Sequence, residues 1–78
     1  MSEKRYNDRT TTNTPGRLFA DRLDLPCTVL DVSPTGARVQ VPPGLFLPKQ
    51  MTIRSSEWGG DRHAWVVWRN KTQIGLRF

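Results

Sequence analysis

Two arginines four residues apart, Arg5 and Arg9, and a carboxylate at the end of an apolar run, Asp31, are the residues of this chain whose types and spacing carry chemistry. A guanidinium is a planar fork of donors, and a guanine edge offers O6 and N7 as the paired acceptors that such a fork grips. The same base carries N1 and N2 donors that suit a carboxylate, an arrangement that adenine lacks. The spacing of Arg5 and Arg9 puts both forks on one side whether the segment is extended or makes a helical turn. Ser33 can donate to a phosphate oxygen, and Gly36 has no Cβ to hold a ligand off the backbone. The plain alternative is that Ser33-Pro34-Thr35-Gly36 is only a tight turn and Asp31 only a partner for local backbone, so the segment gains meaning through its combination with the arginines.

The rest of the composition argues for binding and against catalysis. Cys27 and His63 are each alone of their kind, which leaves no disulfide, no metal-ligand cluster and no nucleophile with a base. The expectation is a non-enzymatic protein with no metal and no cofactor, in which Cys27 packs as a small hydrophobe and His63 sits on a strand surface. Lys and Arg outnumber Asp and Glu by 12 to 7, a net charge of +5, and arginine far outnumbers lysine. That balance suits an anionic partner recognised by shape, although a solvated basic surface has the same composition. No apolar stretch is long enough to span a membrane and the first residues hold no hydrophobic signal region, so a cytoplasmic location without membrane attachment is expected.

The elements that must position these residues read as strands. Residues 1–16 are polar and end at Pro15-Gly16, which predicts a flexible arm; residues 17–78 alternate short apolar runs with turn residues and predict one all-β domain. Ala37, Val39 and Val41 share one face of a strand, as do Ile74, Leu76 and Phe78 of another, and Met51-Thr52-Ile53-Arg54 repeats the alternation. Leu25 to Val32 and Ala64 to Arg69 are apolar at both parities, as in strands covered on two sides or kinked by a bulge. With a first strand near Arg17 to Ala20 and turns at Pro42-Pro43-Gly44, Gly59-Gly60 and Asn70-Lys71, the pattern predicts a closed six-stranded antiparallel barrel. Trp65 and Trp68 fall on opposite parities of one strand, which predicts at least one in the core; Trp58, beside Gly59-Gly60, reads as a turn anchor. The three indoles also raise a base-stacking platform for single strands as an alternative.

Arg5-Tyr6-Asn7-Asp8-Arg9 followed by Asp31-Val32-Ser33-Pro34-Thr35-Gly36 resembles the PilZ domain family, whose pattern is an Arg-x-x-x-Arg arm and an Asp/Asn-x-Ser-x-x-Gly turn. Trp65-Val66-Val67-Trp68-Arg69 and Ile74-Gly75-Leu76-Arg77-Phe78 resemble that family's closing hairpin, so the likeness runs nearly the whole chain. The resemblance implies a bacterial receptor for cyclic di-GMP, built as a six-stranded barrel whose arm wraps over the ligand and whose altered surface is read by an unidentified downstream protein. It implies that Arg5, Arg9, Asp31, Ser33 and Gly36 bind the ligand and that Lys4 adds charge; Arg38 and Arg69 join them as further contacts argued from position. A monomer or weak dimer is expected, and nucleic acid is not the expected partner. Many members continue into a C-terminal helix that is not expected here, so the barrel end needs another cover, such as Pro42 to Pro48 with Leu45, Phe46 and Leu47, or a second protomer. The alternatives that remain are a nonspecific single-stranded nucleic-acid binder and a protein-interaction module that no longer binds nucleotide.

Overall fold

A computed structural model describes residues 10–78; Lys4, Arg5 and Arg9 lie outside the described residues. Six antiparallel strands close into a barrel in the order β1-β2-β3-β6-β5-β4. They are β1 (Thr10–Ala20), β2 (Leu23–Ser33), β3 (Gly36–Gln40), β4 (Gln50–Ser55), β5 (Gly60–Arg69) and β6 (Gln73–Arg77). The all-β barrel expected from the alternation is therefore the observed fold. Closure comes from β1 pairing with β4 from Gly16 opposite Ser55 to Phe19 opposite Thr52.

Leu18, Val29, Val39, Ile53 and Ile74 are the largest fully buried side chains, drawn from β1, β2, β3, β4 and β6, while β5 contributes the small Ala64. Each large aliphatic stabilises the fold by about 1.5–3 kcal/mol on burial. Asn70 and Gly59 shape two of the connecting turns. The Asn70 carboxamide oxygen accepts from the backbone of Thr72 and Gln73, at 3.1 and 2.9 Å, and Gly59 takes φ 73°, a left-handed conformation that disfavours a Cβ.

Three sequence expectations need correction. Strand β1 starts at Thr10, not near Arg17, so the part of the expected flexible arm from Thr10 to Gly16 is paired strand, with Thr10 opposite Val32 and Gly16 opposite Cys27. Threonines favour extended backbone, and Thr12 Oγ1 donates to the Val29 carbonyl at 2.6 Å; such holding by backbone partners leaves no hydrophobic period to read. Second, neither Trp65 nor Trp68 is core. The β5–β6 register slips at Val67, which has no opposite residue, and this bulge turns both indoles outward, each 44% exposed. Third, of the loop residues offered as a barrel cover only Leu47 is buried, while Phe46 is 87% exposed. Leu47 joins the core near Val41 and Met51, and the opposite end is closed by Trp58 and Phe78, whose rings meet edge to face at 5.2 Å.

Candidate ligand-binding site

The candidate site is organised by two bulges. Leu25, Cys27 and Val29 point into the barrel at every second position, and continuing that alternation would send Asp31 inward too. The β2–β3 register slips at Leu30 instead, so Val32 faces inward opposite Ala37 while Asp31 faces outward opposite Arg38. Bulges re-aim side chains in this way. Arg38 Nε donates to Asp31 Oδ2 at 3.0 Å, and its Nη2 lies 2.9 Å from the same oxygen in an ion pair. The Asp31 side chain is only 9% exposed although it lies on the outer surface, and that of Arg38 is 45% exposed. This leaves Arg38 Nη1 without a partner among the described residues and available to an anion or a base edge.

The candidate site has an aromatic wall at its far side. Trp68 lies opposite Gly75, which lies opposite Arg38, so carboxylate, guanidinium, glycine and indole form one row across β2, β3, β6 and β5. A Cβ at Gly75 would fall 2.1 Å from Trp68 Nε1 and 2.4 Å from Cε2, so the indole occupies the space that any other residue would need. The bulge at Val67 and the missing Cβ at Gly75 together seat the ring beside the ion pair. The result is a cleft of 420 Å³ bounded by Asp31, Arg38, Val67, Trp68 and Gly75. Volumes of this order suit small ligands.

The neighbouring turn is tight. Pro34 and Thr35 link β2 to β3 with Ser33 opposite Gly36, and Ser33 Oγ accepts from the Thr35 amide while lying within reach of the Gly36 carbonyl, both at 3.4 Å. A Cβ on Gly36 would stand 2.1 Å from the Leu76 carbonyl oxygen. The fold itself thus demands glycine there, because β3 and β6 approach too closely for a side chain, a reason independent of any ligand.

A family model for the PilZ domain matches residues 3–78. The chain belongs to the PilZ domain family. Comparison with curated proteins and with solved structures returns no significant match. PilZ domains form a family of cyclic di-GMP-binding adaptors that act through partner proteins.

Within this PilZ domain the structure brings Asp31 and Arg38 into direct contact and sets Ser33 and Gly36 in the adjoining turn. It does not bring Arg69 to the cleft. Arg69 sits at the other end of the barrel, where its Nη2 donates to the Leu45 carbonyl at 2.9 Å. Arg5, Arg9 and Lys4 fall outside the described residues, but β1 enters the barrel with Thr10 opposite Val32 and Thr11 opposite Asp31, so the chain leads into the fold beside the cleft. Trp68 and Gly75 are functional candidates that the motif does not contain. A glycine inside an otherwise regular strand was the available signal for a closely approaching side chain, but the Val67 bulge that supplies the indole has no sequence signature of its own.

Other polar groups of the PilZ domain have local duties. Burial pushes the Cys27 thiol up to about 11, against a weaker opposing pull from Arg17, so it stays protonated and unreactive at neutral pH. Among the described residues no group of His, Cys, Asp and Glu could hold a metal ion, and no helix is long and apolar enough to cross a membrane.

Proposed function

We propose that this PilZ domain is a receptor for cyclic di-GMP in which one guanine half of the ligand enters the cleft between Arg38 and Trp68, and Arg5 and Arg9 close over it. The observation that carries this reading is the outward-facing yet nearly buried Asp31, bonded to Arg38 and sharing a cleft with Trp68. Arg38 supplies a charged donor for the O6 and N7 edge or a phosphate, and the indole supplies a stacking surface. Arg9 is covalently joined to Thr10, so its Cα lies about 3.8 Å from that of a residue already paired beside Asp31. Contact of Arg5 and Arg9 with the bound ligand would then alter the surface offered to a partner protein.

Calorimetric titration with cyclic di-GMP, and with cyclic di-AMP alongside it, tests the proposal. Saturable binding that prefers the guanine ligand by at least about tenfold is expected, in line with the discrimination of one bidentate base contact. Equal affinity for both, or none for either, removes it. Because Trp65 and Trp68 both face outward, a single-stranded nucleic-acid platform is the second reading. It requires affinity that climbs with strand length and falls steeply with salt.

A further inference from the structure

The outer face of β5 and β6 presents the same two residue types twice. One row is Arg38, Gly75 and Trp68; the next row toward the Ser33 turn is Gly36, Arg77 and Trp65, with Arg77 opposite both Gly36 and Trp65. Gly75 and Arg77 are two residues apart on one strand, so the rows lie about 6.8 Å apart. Arg77 is exposed and has neither ion pair nor side-chain hydrogen bond among the described residues, whereas Arg17, Arg38 and Arg54 are each bonded to an aspartate. Gly36 contributes no side chain beside it. A second cleft of 540 Å³ is lined by Trp65, Val66, Val67, Arg77 and Phe78. It shares Val67 with the Asp31 cleft, so the two hollows adjoin across a single small side chain.

We infer that Arg77 and Trp65 form a second subsite that takes the other nucleotide half of a cyclic dinucleotide, with Arg77 on its phosphate or base edge and Trp65 against its base. The inference rests on the receptor reading above. Its physical basis is the match between a ligand made of two like halves, each an anion joined to a flat ring, and a surface that repeats an arginine and an indole at adjacent rows. The Trp65 ring is itself held by an edge-to-face contact with His63 at 4.7 Å, and His63 is in turn hydrogen-bonded to Gln50 at 3.1 Å, so the indole is pre-positioned. An open guanidinium beside a fixed aromatic surface is well suited to stacking and to phosphate contact.

The test compares the whole ligand with half of it. Cyclic di-GMP and guanosine 5′-monophosphate are titrated by chemical-shift mapping into the full chain and into Arg77→Gln, Trp65→Leu and Asp31→Ala. Arg77→Gln and Trp65→Leu should each weaken cyclic di-GMP about five- to thirtyfold and leave the monophosphate within twofold, because it needs only the Asp31 cleft. Asp31→Ala should weaken both ligands. If the unaltered chain binds no cyclic di-GMP, the receptor reading fails and this inference falls with it. If it binds but Arg77→Gln and Trp65→Leu match it within twofold, or weaken both ligands equally, the second subsite alone is overturned. Amide spectra of each variant establish the fold, and Arg77→Lys, which keeps charge but loses the fork, should fall between the native chain and Arg77→Gln.

Discussion

Two arginine–aspartate pairs join neighbouring strands at directly opposite positions: Arg38 with Asp31 across β2 and β3, and Arg54 with Asp61 across β4 and β5. Both arginines use Nε and Nη2. Their surroundings differ. Asp61 is 48% exposed on a regular stretch of strand, whereas Asp31 is 9% exposed beside the bulge at Leu30 and shares a cleft with Trp68. The same pair of residue types thus makes an ordinary surface contact in one place and one wall of a cleft in the other. The lesson is that irregular backbone and a missing Cβ, rather than the charged residues themselves, set a cross-strand pair inside a cleft.

That contrast can be broken at several points. Gly36→Ala should have the largest effect, destabilising the domain by about 3 kcal/mol in urea unfolding, since the added methyl meets the Leu76 backbone and no rotamer change relieves it. Asp31→Ala should lower cyclic di-GMP affinity about 100-fold by calorimetry, in keeping with truncation of one member of an enclosed charged pair. Gly75→Ala sharpens the comparison further: the indole of Trp68 must leave its seat, so ligand affinity should drop about tenfold while stability changes by less than about 1 kcal/mol, a divergence expected only of a binding surface.

The exposed pair should give the smallest response. Asp61→Asn should leave ligand affinity unchanged and shift the unfolding midpoint only slightly, and less still in high salt. Its pH dependence has a defined sign. The hydrogen bond from Arg54 holds the Asp61 carboxyl below its usual value of 3.8, so the pair's contribution is present above that value and is lost as acid carries the pH down through the lowered one. Unfolding curves of Asp61→Asn and the native chain should therefore converge in acid. A large loss of stability in this variant at neutral pH would remove the distinction between the two pairs.

Much of the barrel was legible because alternation reports burial directly: Ala37, Val39 and Val41 are inward as their spacing requires, and Ile74 and Leu76 likewise. Segments apolar at both parities, Leu25 to Val32 and Ala64 to Arg69, each proved to contain a bulge, where the inward set changes parity. The beginning of β1 was illegible, since Thr10, Thr11 and Thr14 bury little and pair through the main chain, while Thr12 and Asn13 lie at a break in the register, Thr12 held by its hydroxyl on the Val29 carbonyl and Asn13 at φ 50°. At the site, the Ser33–Gly36 turn was readable from its residues. Its two-residue length also places Asp31 opposite Arg38 by simple counting, so that contact was available in the sequence. The indole beside it was not, because one unpaired residue, Val67, decides the side on which Trp68 emerges.

The amide of Phe78 donates to the Thr35 carbonyl at 2.9 Å, while its ring rests against Trp58 and beneath the Arg62 guanidinium, 4.7 Å from the ring centre. The Ser33 turn, the Phe78 ring and the tip of the β4–β5 hairpin are therefore joined in series at one mouth of the barrel. One backbone hydrogen bond and one edge-to-face ring contact are thus a path between that turn and a hairpin tip that carries none of the candidate ligand residues.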